Sequence, residues 1–377
     1  MEKPKLQRLE SLDLLRGFDL FFLVGIEAII HALHGAIKTP WYDKLMWNFD
    51  HVEWQGFSPW DLIMPLFMFM AGVAMPFALS KYLGSNKSSL YKRIIKRVVL
   101  LWIFGMMSQG NLLGLDPDRI FLFTNTLQAI AVGYLFSAIL FLNTSIKTQI
   151  GVAVSLLLVY WGAMEFITFN GFGGGNYSPD HNLAEGVDRM VFGRFRDASQ
   201  VIDGVVVFPD WYRYTWILSS LNFVVTVLSG VFAGHILKNN SFSQKKKTLL
   251  LFGIGAALVL TGWIWDLQMP VVKKIWTSSM VLVSSGYCFV LMGIFYYWID
   301  YKGHGKNIKW LKVYGMNSIV AYMLAMVVQF GSVSNSLLHG FEQYLGAYFP
   351  ALIAASNAAI IFFILWRLYK SNFFLRV

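Results

Sequence analysis

The sequence contains stretches of helix length that carry no charge. One runs from Phe121 to Leu142 and another from Val281 to Trp298. A helix needs about 20 apolar residues to cross the hydrocarbon core of a bilayer. Hydrophobic residues make up 56% of the chain and charged residues only 14%, against about 25% charged in a typical soluble domain. The stretches predict an all-α, polytopic integral membrane protein, because a helix satisfies its own backbone groups in lipid.

The apolar stretches predict a single domain over residues 1–377 with ten transmembrane helices. Their expected bounds, each to within a few residues, are 12–36, 59–81, 93–112, 122–142, 149–169, 214–237, 248–265, 276–299, 310–331 and 351–369. An even number of spans places both termini on one side. Most lysines and arginines fall near the termini and in the loops 81–97, 238–247 and 302–312, so the positive-inside rule makes that side cytoplasmic. The polar loops 37–58 and 170–213 are then non-cytoplasmic.

The charge pattern and the cysteine content exclude several classes of partner. The formal net charge is +10, but the basic residues are divided among short loops between apolar stretches. This distribution indicates membrane topology. The expected partner is therefore a lipid bilayer, and no nucleic acid is expected. The single cysteine, Cys288, can form no disulfide within the chain and no cysteine metal cluster. No metal is expected, and the oligomeric state stays open, with a homodimer among the options.

Ionisable side chains in or beside membrane spans are costly and are therefore candidates for function. The first group is Asp13, Arg16 and Asp19 at the start of the first predicted span, where Asp13 and Arg16 are three residues apart and share a helix face. An ion pair where the helix begins and a phosphate contact at the cytoplasmic mouth both explain them. Glu27 lies near the middle of the same span. It is either a hydrogen-bonded structural group or part of a site in the bundle interior.

A histidine and an aspartate flank a short glycine-containing connection before the second span. Pro59 suits the first turn of a helix, which places Asp61 in that turn, where the helix dipole favours a carboxylate. Asp61 can then fold back to His51, and a carboxylate on one imidazole nitrogen orients the other as a base. A capped helix with an incidental interfacial histidine accounts for the same pattern.

The loop 170–213 is rich in groups that hydrogen-bond sugars or acidic ligands. It begins with a cluster of glycines and continues with His181, Asn182, Glu185, Asp188 and Arg189. Long loops in compact proteins are commonly functional. A solvated external loop is the alternative.

Further motifs follow one another in a set order along the chain. They are Ser11-Leu-Asp-Leu-Leu-Arg16-Gly17, His51 with Trp54 and Gly56, Asp61-Leu-Ile-Met-Pro65, Leu127-Gln128, Asn182-Leu183-Ala184 with Asp188-Arg189, Lys274-Ile-Trp276-Thr277-Ser278-Ser279 and Gly315-Met316-Asn317-Ser318-Ile319. Together they resemble the heparan-alpha-glucosaminide N-acetyltransferase family of transmembrane acyltransferases, particularly its short bacterial members, over nearly the whole chain. Glu27 stands where the family often has Asn, and Ala129 where it commonly has Arg.

The resemblance implies an acetyl-CoA-dependent N-acetyltransferase of a bacterial cytoplasmic (inner) membrane. The acetyl group would pass from cytosolic acetyl-CoA to the amine of a glucosamine-type sugar, free or at the end of an oligosaccharide, on the non-cytoplasmic side. The resemblance makes His51 the catalytic residue, either as a covalent acetyl carrier or as a general base. Asp61 is functionally important on the same grounds, and Glu27 is expected near this chemistry.

The same resemblance guides the expected binding residues. Those expected to contact acetyl-CoA are Arg16, Arg97, Asn125, Gln128, Asn317 and Ser318. Those expected to contact the acceptor are His181, Asn182, Asp188, Arg189 and Trp276. Two other functions stay open, a transporter of amino sugars or related small molecules and a passive scaffold. Against a transporter, the sequence has no evident internal repeat and no pair of broken helices in corresponding halves.

Overall fold

The computed structural model describes residues 9–83, 87–112, 115–116, 120–209 and 213–375. The first eight residues and parts of the loops 81–97 and 170–213 therefore lie outside the described set. Helices dominate it, with two short antiparallel hairpins. The α-helices are α1 (Glu10–Leu20), α2 (Glu27–Ala36), α3 (Pro40–Met46), α4 (Ile63–Leu79), α5 (Ser88–Ser108), α6 (Thr126–Asn143), α7 (Ile146–Phe166), α8 (Leu183–Phe192), α9 (Ser219–Lys238), α10 (Gln244–Trp265), α11 (Ser278–Phe295), α12 (Lys312–Met316), α13 (Ser318–Met323), α14 (Gly331–Leu338), α15 (Glu342–Leu345) and α16 (Phe349–Lys370).

Shorter elements join these helices. The π-helical segments are Phe21–Ile26, Tyr296–Tyr301 and Leu324–Val328, and the 3-10 turns are Pro59–Leu62, Ser80–Tyr82, Gly193–Phe195, Gly305–Leu311, His339–Phe341 and Gly346–Tyr348. The hairpins pair β1 (Thr168–Phe169) with β2 (Phe172–Gly173), and β3 (Gln200–Ile202) with β4 (Val205–Val207). Both hairpins lie in the predicted polar loop 170–213 or at its start.

Seven helical segments in the described residues are long and apolar enough to cross a membrane. They are Pro59–Leu79, Thr126–Asn143, Ile146–Phe166, Ser219–Lys238, Gln244–Trp265, Ser278–Tyr301 and Gly331–Lys370. A further pair, Gly305–Met316 with Ser318–Val328, meets the same criteria together but bends by 68° between its halves. These segments overlap eight of the ten predicted spans. The chain is a helical integral membrane protein.

The other two predicted spans are helical but are interrupted by charge. The first ten residues of α5 carry four basic side chains, which leaves only a short apolar part. The predicted first span continues from α1 through the π-helical segment into α2, and it contains Asp13, Arg16, Asp19 and Glu27. The number of ten spans and the side on which the termini lie therefore stay predictions.

The chain divides into two compact units. The first comprises Glu53–Phe57 and Met64–Gly293, and the second comprises Leu9–Val52, Ser58–Ile63 and 294–375. The single domain expected from the sequence stays a prediction.

Helices of the first unit approach one another through glycine. A Cβ atom added at Gly230 of α9 would lie 1.9 Å from the backbone oxygen of Phe69, and one added at Gly72 of α4 would lie 2.0 Å from a backbone oxygen of α9. The backbones of α4 and α9 are therefore in direct contact. Gly255 of α10 and Gly286 of α11 make a similar close approach. Contact through small residues is typical of helices that pack in lipid, where apolar burial gives little driving force.

Lysines cap the C-terminal ends of three helices in this unit. Each Nζ atom donates a hydrogen bond of 2.6 Å to a backbone oxygen, and the pairs are Lys87 with Leu142 of α6, Lys238 with Pro76 of α4, and Lys247 with Leu237 of α9. The last carbonyls of a helix have no partner within it, and an ammonium group suits the negative end of the helix dipole. These lysines are thus occupied by the backbone.

In the second unit α1 packs closely on α12 and on the 3-10 turn that precedes it. A Cβ atom at Gly17 would lie 2.0 Å from the backbone oxygen of Leu311, and one at Gly315 would lie 2.0 Å from that of Asp13. Between α12 and α13, the Asn317 side chain holds the C-terminal segment by hydrogen bonds of 3.1 and 3.2 Å to its backbone. The pair Asp13 and Arg16 therefore lies on a helix that is packed at backbone distance against its neighbour.

Candidate functional site

The structure brings His51 and Asp61 together. His51 Nδ1 lies 2.8 Å from Asp61 Oδ1. The histidine side chain is 41% exposed, whereas that of the aspartate is 2% exposed. A buried carboxylate thus supports an imidazole that reaches the surface of its unit.

Local sequence explains why Asp61 sits where it does. Pro59 begins a 3-10 turn that continues into α4, and Ser58 is its N-cap. The second carboxylate oxygen of Asp61 accepts hydrogen bonds from the Ser58 N–H at 3.0 Å, the Ser58 hydroxyl at 3.1 Å and the Val52 N–H at 3.4 Å. The two interpretations of this motif are therefore compatible, because one oxygen of Asp61 caps the helix and the other contacts His51.

The contact with Asp61 decides which nitrogen of His51 carries the proton. A carboxylate oxygen accepts, so Nδ1 must donate. In the neutral ring the lone pair then lies on Nε2, on the opposite edge of the imidazole. A histidine held in this tautomer by a buried carboxylate is suited to take a proton or an acyl group at Nε2.

A second histidine and aspartate lie near each other, and the aspartate directly precedes His51 in the chain. His31 Nε2 is 3.7 Å from Asp50 Oδ1, and their side chains are 41% and 51% exposed. Asp50 directly precedes His51, and its backbone oxygen accepts a 2.7 Å hydrogen bond from the Ser58 hydroxyl. Within the described ranges, no group of three or more His, Cys, Asp or Glu residues is arranged to hold a metal ion.

Two further carboxylates lie on the helical run that contains His31. Glu27 is half-buried and begins α2, directly after the π-helical segment Phe21–Ile26. Such segments often occur at functional sites, but the expected role of Glu27 near His51 stays a prediction. Asp19 is only 4% exposed, and its Oδ2 atom has no hydrogen-bond partner among the described residues.

Several side chains predicted to contact acetyl-CoA are used by the backbone. Asn125 caps α6 by accepting from the Leu127 N–H at 2.8 Å. Gln128 Oε1 accepts from the N–H groups of Thr124 and Asn125 at 2.7 and 3.0 Å. These contacts occupy the amide oxygens of both residues. Arg16 and Ser318 are half-buried, in α1 and at the start of α13.

Arg97 differs from these residues because one of its hydrogen-bond donors, Nε, has no acceptor among the described residues. Its guanidinium carbon lies 4.2 Å from the centre of the Tyr134 ring. Its Nε atom is buried and has no hydrogen-bond partner among the described residues. Guanidinium groups bind phosphate well, so an unsatisfied donor on α5 fits the phosphates expected of coenzyme A.

Most residues predicted to bind the acceptor hold their own loop together. Asn182 caps α8 by accepting from the Glu185 N–H at 2.9 Å. Asp188 accepts from the N–H groups of Trp216 and Ile217 at 2.7 and 2.9 Å. Burial raises the pKa of Asp188 to about 7, although these two amides act to lower it. The loop is thus fastened to the chain just before α9.

A buried ion pair network completes this fastening. Glu185 accepts from Arg189 Nε at 2.6 Å and from a terminal nitrogen of Arg196 at 2.5 Å. The Arg196 side chain is fully buried, and nothing in the sequence indicates its pairing with Glu185. Trp276 is buried and donates from Nε1 to the Thr226 hydroxyl at 3.1 Å. Of the five residues predicted to contact the acyl acceptor, only His181 is exposed.

Comparison with known proteins gives a consistent but distant relationship. No family model matches the sequence. The heparan-alpha-glucosaminide N-acetyltransferase of Homo sapiens is 25% identical over 362 residues, covering 84% of this chain and 52% of that protein. The mouse protein of the same name, from Mus musculus, is 25% identical over 368 residues, covering 84% of this chain and 53% of its own length. The chain is a distant relative of these proteins and spans about half their length.

Proposed function

From this distant relationship, we propose that the chain is a membrane-embedded acyltransferase that moves an acetyl group from cytosolic acetyl-CoA to the amine of a glucosamine-type sugar on the non-cytoplasmic side. One observation carries the proposal. His51 is held at 2.8 Å by Asp61, whose other oxygen is fixed by two backbone N–H groups and a hydroxyl. The names of both relatives supply the reaction and the class of acceptor.

Once the acceptor amine is neutral, the chemistry needs a group that moves one proton. In a direct transfer the amine nitrogen bonds to the acetyl carbon, the carbon–sulfur bond breaks, and His51 Nε2 carries the amine proton to the leaving thiolate. In a two-step transfer Nε2 takes the acetyl group first and then gives it to the amine. Both routes use the atom whose lone pair the Asp61 contact sets. Acetylation of the protein by labelled acetyl-CoA without an acceptor separates them, because only the two-step route leaves label on His51.

The test uses the full chain in lipid nanodiscs. With acetyl-CoA and glucosamine, the wild type should release free thiol and form N-acetylglucosamine, detected by mass spectrometry. His51→Ala should abolish both. His34→Ala is the matched control, because His34 is similarly exposed and also contacts an aspartate, Asp43, at 2.8 Å. Thiol release that survives in His51→Ala would remove the proposal.

A transporter is the second candidate, and two observations favour it. The pair Gly305–Met316 and Ser318–Val328 is bent by 68°, and broken helices are typical of transporter binding sites. Asp19 is a buried carboxylate whose Oδ2 atom has no hydrogen-bond partner among the described residues, and such groups often carry protons. Vesicles that accumulate unmodified glucosamine without acetyl-CoA would establish transport in place of transfer.

A further inference from the structure

We propose that Asp50, with His31 against it, binds the ammonium group of the acceptor beside His51. The site would then select cationic amino sugars over their neutral N-acetylated forms. This inference rests on the proposed function for the reaction, but the binding it describes can be measured without any transfer.

The backbone fixes Asp50 relative to the catalytic pair. Ser58 donates from its hydroxyl to the Asp50 backbone oxygen at 2.7 Å, and from its N–H to the Asp61 carboxylate at 3.0 Å. Ser58 therefore hydrogen-bonds both Asp50 and Asp61, the two end residues of the segment 50–61 that contains His51. Asp50 and His51 are neighbours in the chain, and both side chains are exposed; in the proposed site one ligand contacts both.

The carboxylate of Asp50 differs from those in the two tighter histidine–aspartate pairs among the described residues of this unit. His34 with Asp43 and His51 with Asp61 are both at hydrogen-bond distance, 2.8 Å. The His31 to Asp50 distance of 3.7 Å is too long for a hydrogen bond. Among the described residues, the Asp50 carboxylate makes only this longer contact. It can therefore accept hydrogen bonds from a ligand at little cost.

The reaction favours an ammonium ligand at this position. An amino sugar arrives protonated, and charge-assisted hydrogen bonds to a carboxylate are the strong ones. Holding the nitrogen beside His51 places within reach of Nε2 the two protons that must leave, one that passes to solvent before the amine attacks and one that passes to the leaving thiolate afterwards. After transfer the nitrogen belongs to a neutral amide, so the attraction to Asp50 ends and the product is released. Asp50 would thus discriminate substrate from product by charge.

Steady-state kinetics of the full chain test the inference. Asp50→Asn should raise the KM for glucosamine by about tenfold, because the contact is half-exposed and worth about 1.4 kcal/mol. The KM for acetyl-CoA should stay within twofold. Asp50→Glu should recover part of the loss, since it keeps the charge. Asp43→Asn is the matched control and should behave as the wild type. An equal rise in KM in Asp43→Asn would overturn the inference, because a general surface charge would then explain it.

Direct binding keeps the result separate from the proposed reaction. Calorimetry without acetyl-CoA should show glucosamine binding the wild type about tenfold more tightly than Asp50→Asn, with N-acetylglucosamine binding both alike. This result with no acetylated product would sustain the ammonium site and remove the transferase. Equal binding of glucosamine by both proteins would refute the ammonium site, whatever the activity. Thermal melting of each variant checks that it is folded.

Discussion

Replacing Asp61 by asparagine changes one atom and should reverse the tautomer of His51. The position of Oδ2 must hold an acceptor, because the N–H groups of Ser58 and Val52 and the Ser58 hydroxyl point at it. The asparagine oxygen will take that position. Its NH2 group then faces His51 Nδ1, which must become the acceptor. The proton moves to Nε2, and the imidazole can no longer take a proton or an acetyl group there.

The size of the effect follows from the free-energy cost of rotating the introduced asparagine amide by about 180°, which exchanges its oxygen and its NH2 group. A reversed amide restores the active tautomer but leaves the buried N–H group of Ser58 and the partly buried N–H group of Val52 facing a donor. Each such loss costs about 1–3 kcal/mol, so the active form lies roughly 2–6 kcal/mol higher. This corresponds to a fall in kcat/KM of roughly 30-fold to 10⁴-fold.

Thiol release with acetyl-CoA and glucosamine measures this fall, and ¹⁵N chemical shifts of a histidine-labelled sample report the tautomer. Asp43→Asn makes the same chemical change at the exposed His34 pair and should leave kcat/KM within twofold. A folded Asp61→Asn protein with kcat/KM within threefold of the wild type would refute the tautomer argument.

Three other changes probe features outside this pair. Arg97→Gln should raise the KM for acetyl-CoA roughly tenfold by removing a phosphate donor, while Lys92→Gln on the same helix should not. Burial raises the pKa of Asp188 to about 7 from about 4 in the unfolded chain, so the folded state holds this proton more tightly. The contribution of Asp188 to stability is therefore complete below pH 4 and is lost as the pH rises through 7; between pH 5 and 8 the Tm of Asp188→Asn should fall less than that of the wild type. Gly230→Ala places a Cβ atom 1.9 Å from the Phe69 oxygen and should destabilise the protein by about 1–3 kcal/mol, measured as a lower Tm in detergent.

The hydropathy pattern predicted the helical membrane class and the positions of eight spans, since long uncharged stretches leave little choice in lipid. It was less informative where charge interrupts a helix. α5 has its basic residues in the first half, so hydropathy alone does not fix where a span begins. Nothing in the sequence indicates the π-helical segment Phe21–Ile26 either, in which the Phe21 ring contacts Trp310 from a distant part of the chain.

The site was partly predictable for a related reason. Pro59 and Asp61 lie in one helix start, so local rules predicted the contact with His51. Asp188 was predicted to bind the acceptor, whereas its carboxylate accepts from the N–H group of Trp216, 28 residues away. A sequence shows which side chains are polar but not which distant backbone amides need them. The acceptor contact of Asp188 stays a prediction, and its contact with the backbone before α9 is what the sequence did not show.

The lysine caps have a consequence for how the protein is made. Each cap joins two helices, since Lys238 at the end of α9 closes α4 and Lys247 of α10 closes α9. When α4 or α9 has just left the translocation machinery it therefore still lacks its lysine cap, and it gains that cap only when α9 or α10, respectively, follows. The lysine hydrogen bonds thus stabilise correctly paired helices during biogenesis and do not stabilise a single inserted helix. Quality control that recognises uncapped helix ends in the membrane would therefore act on helices that have not yet paired.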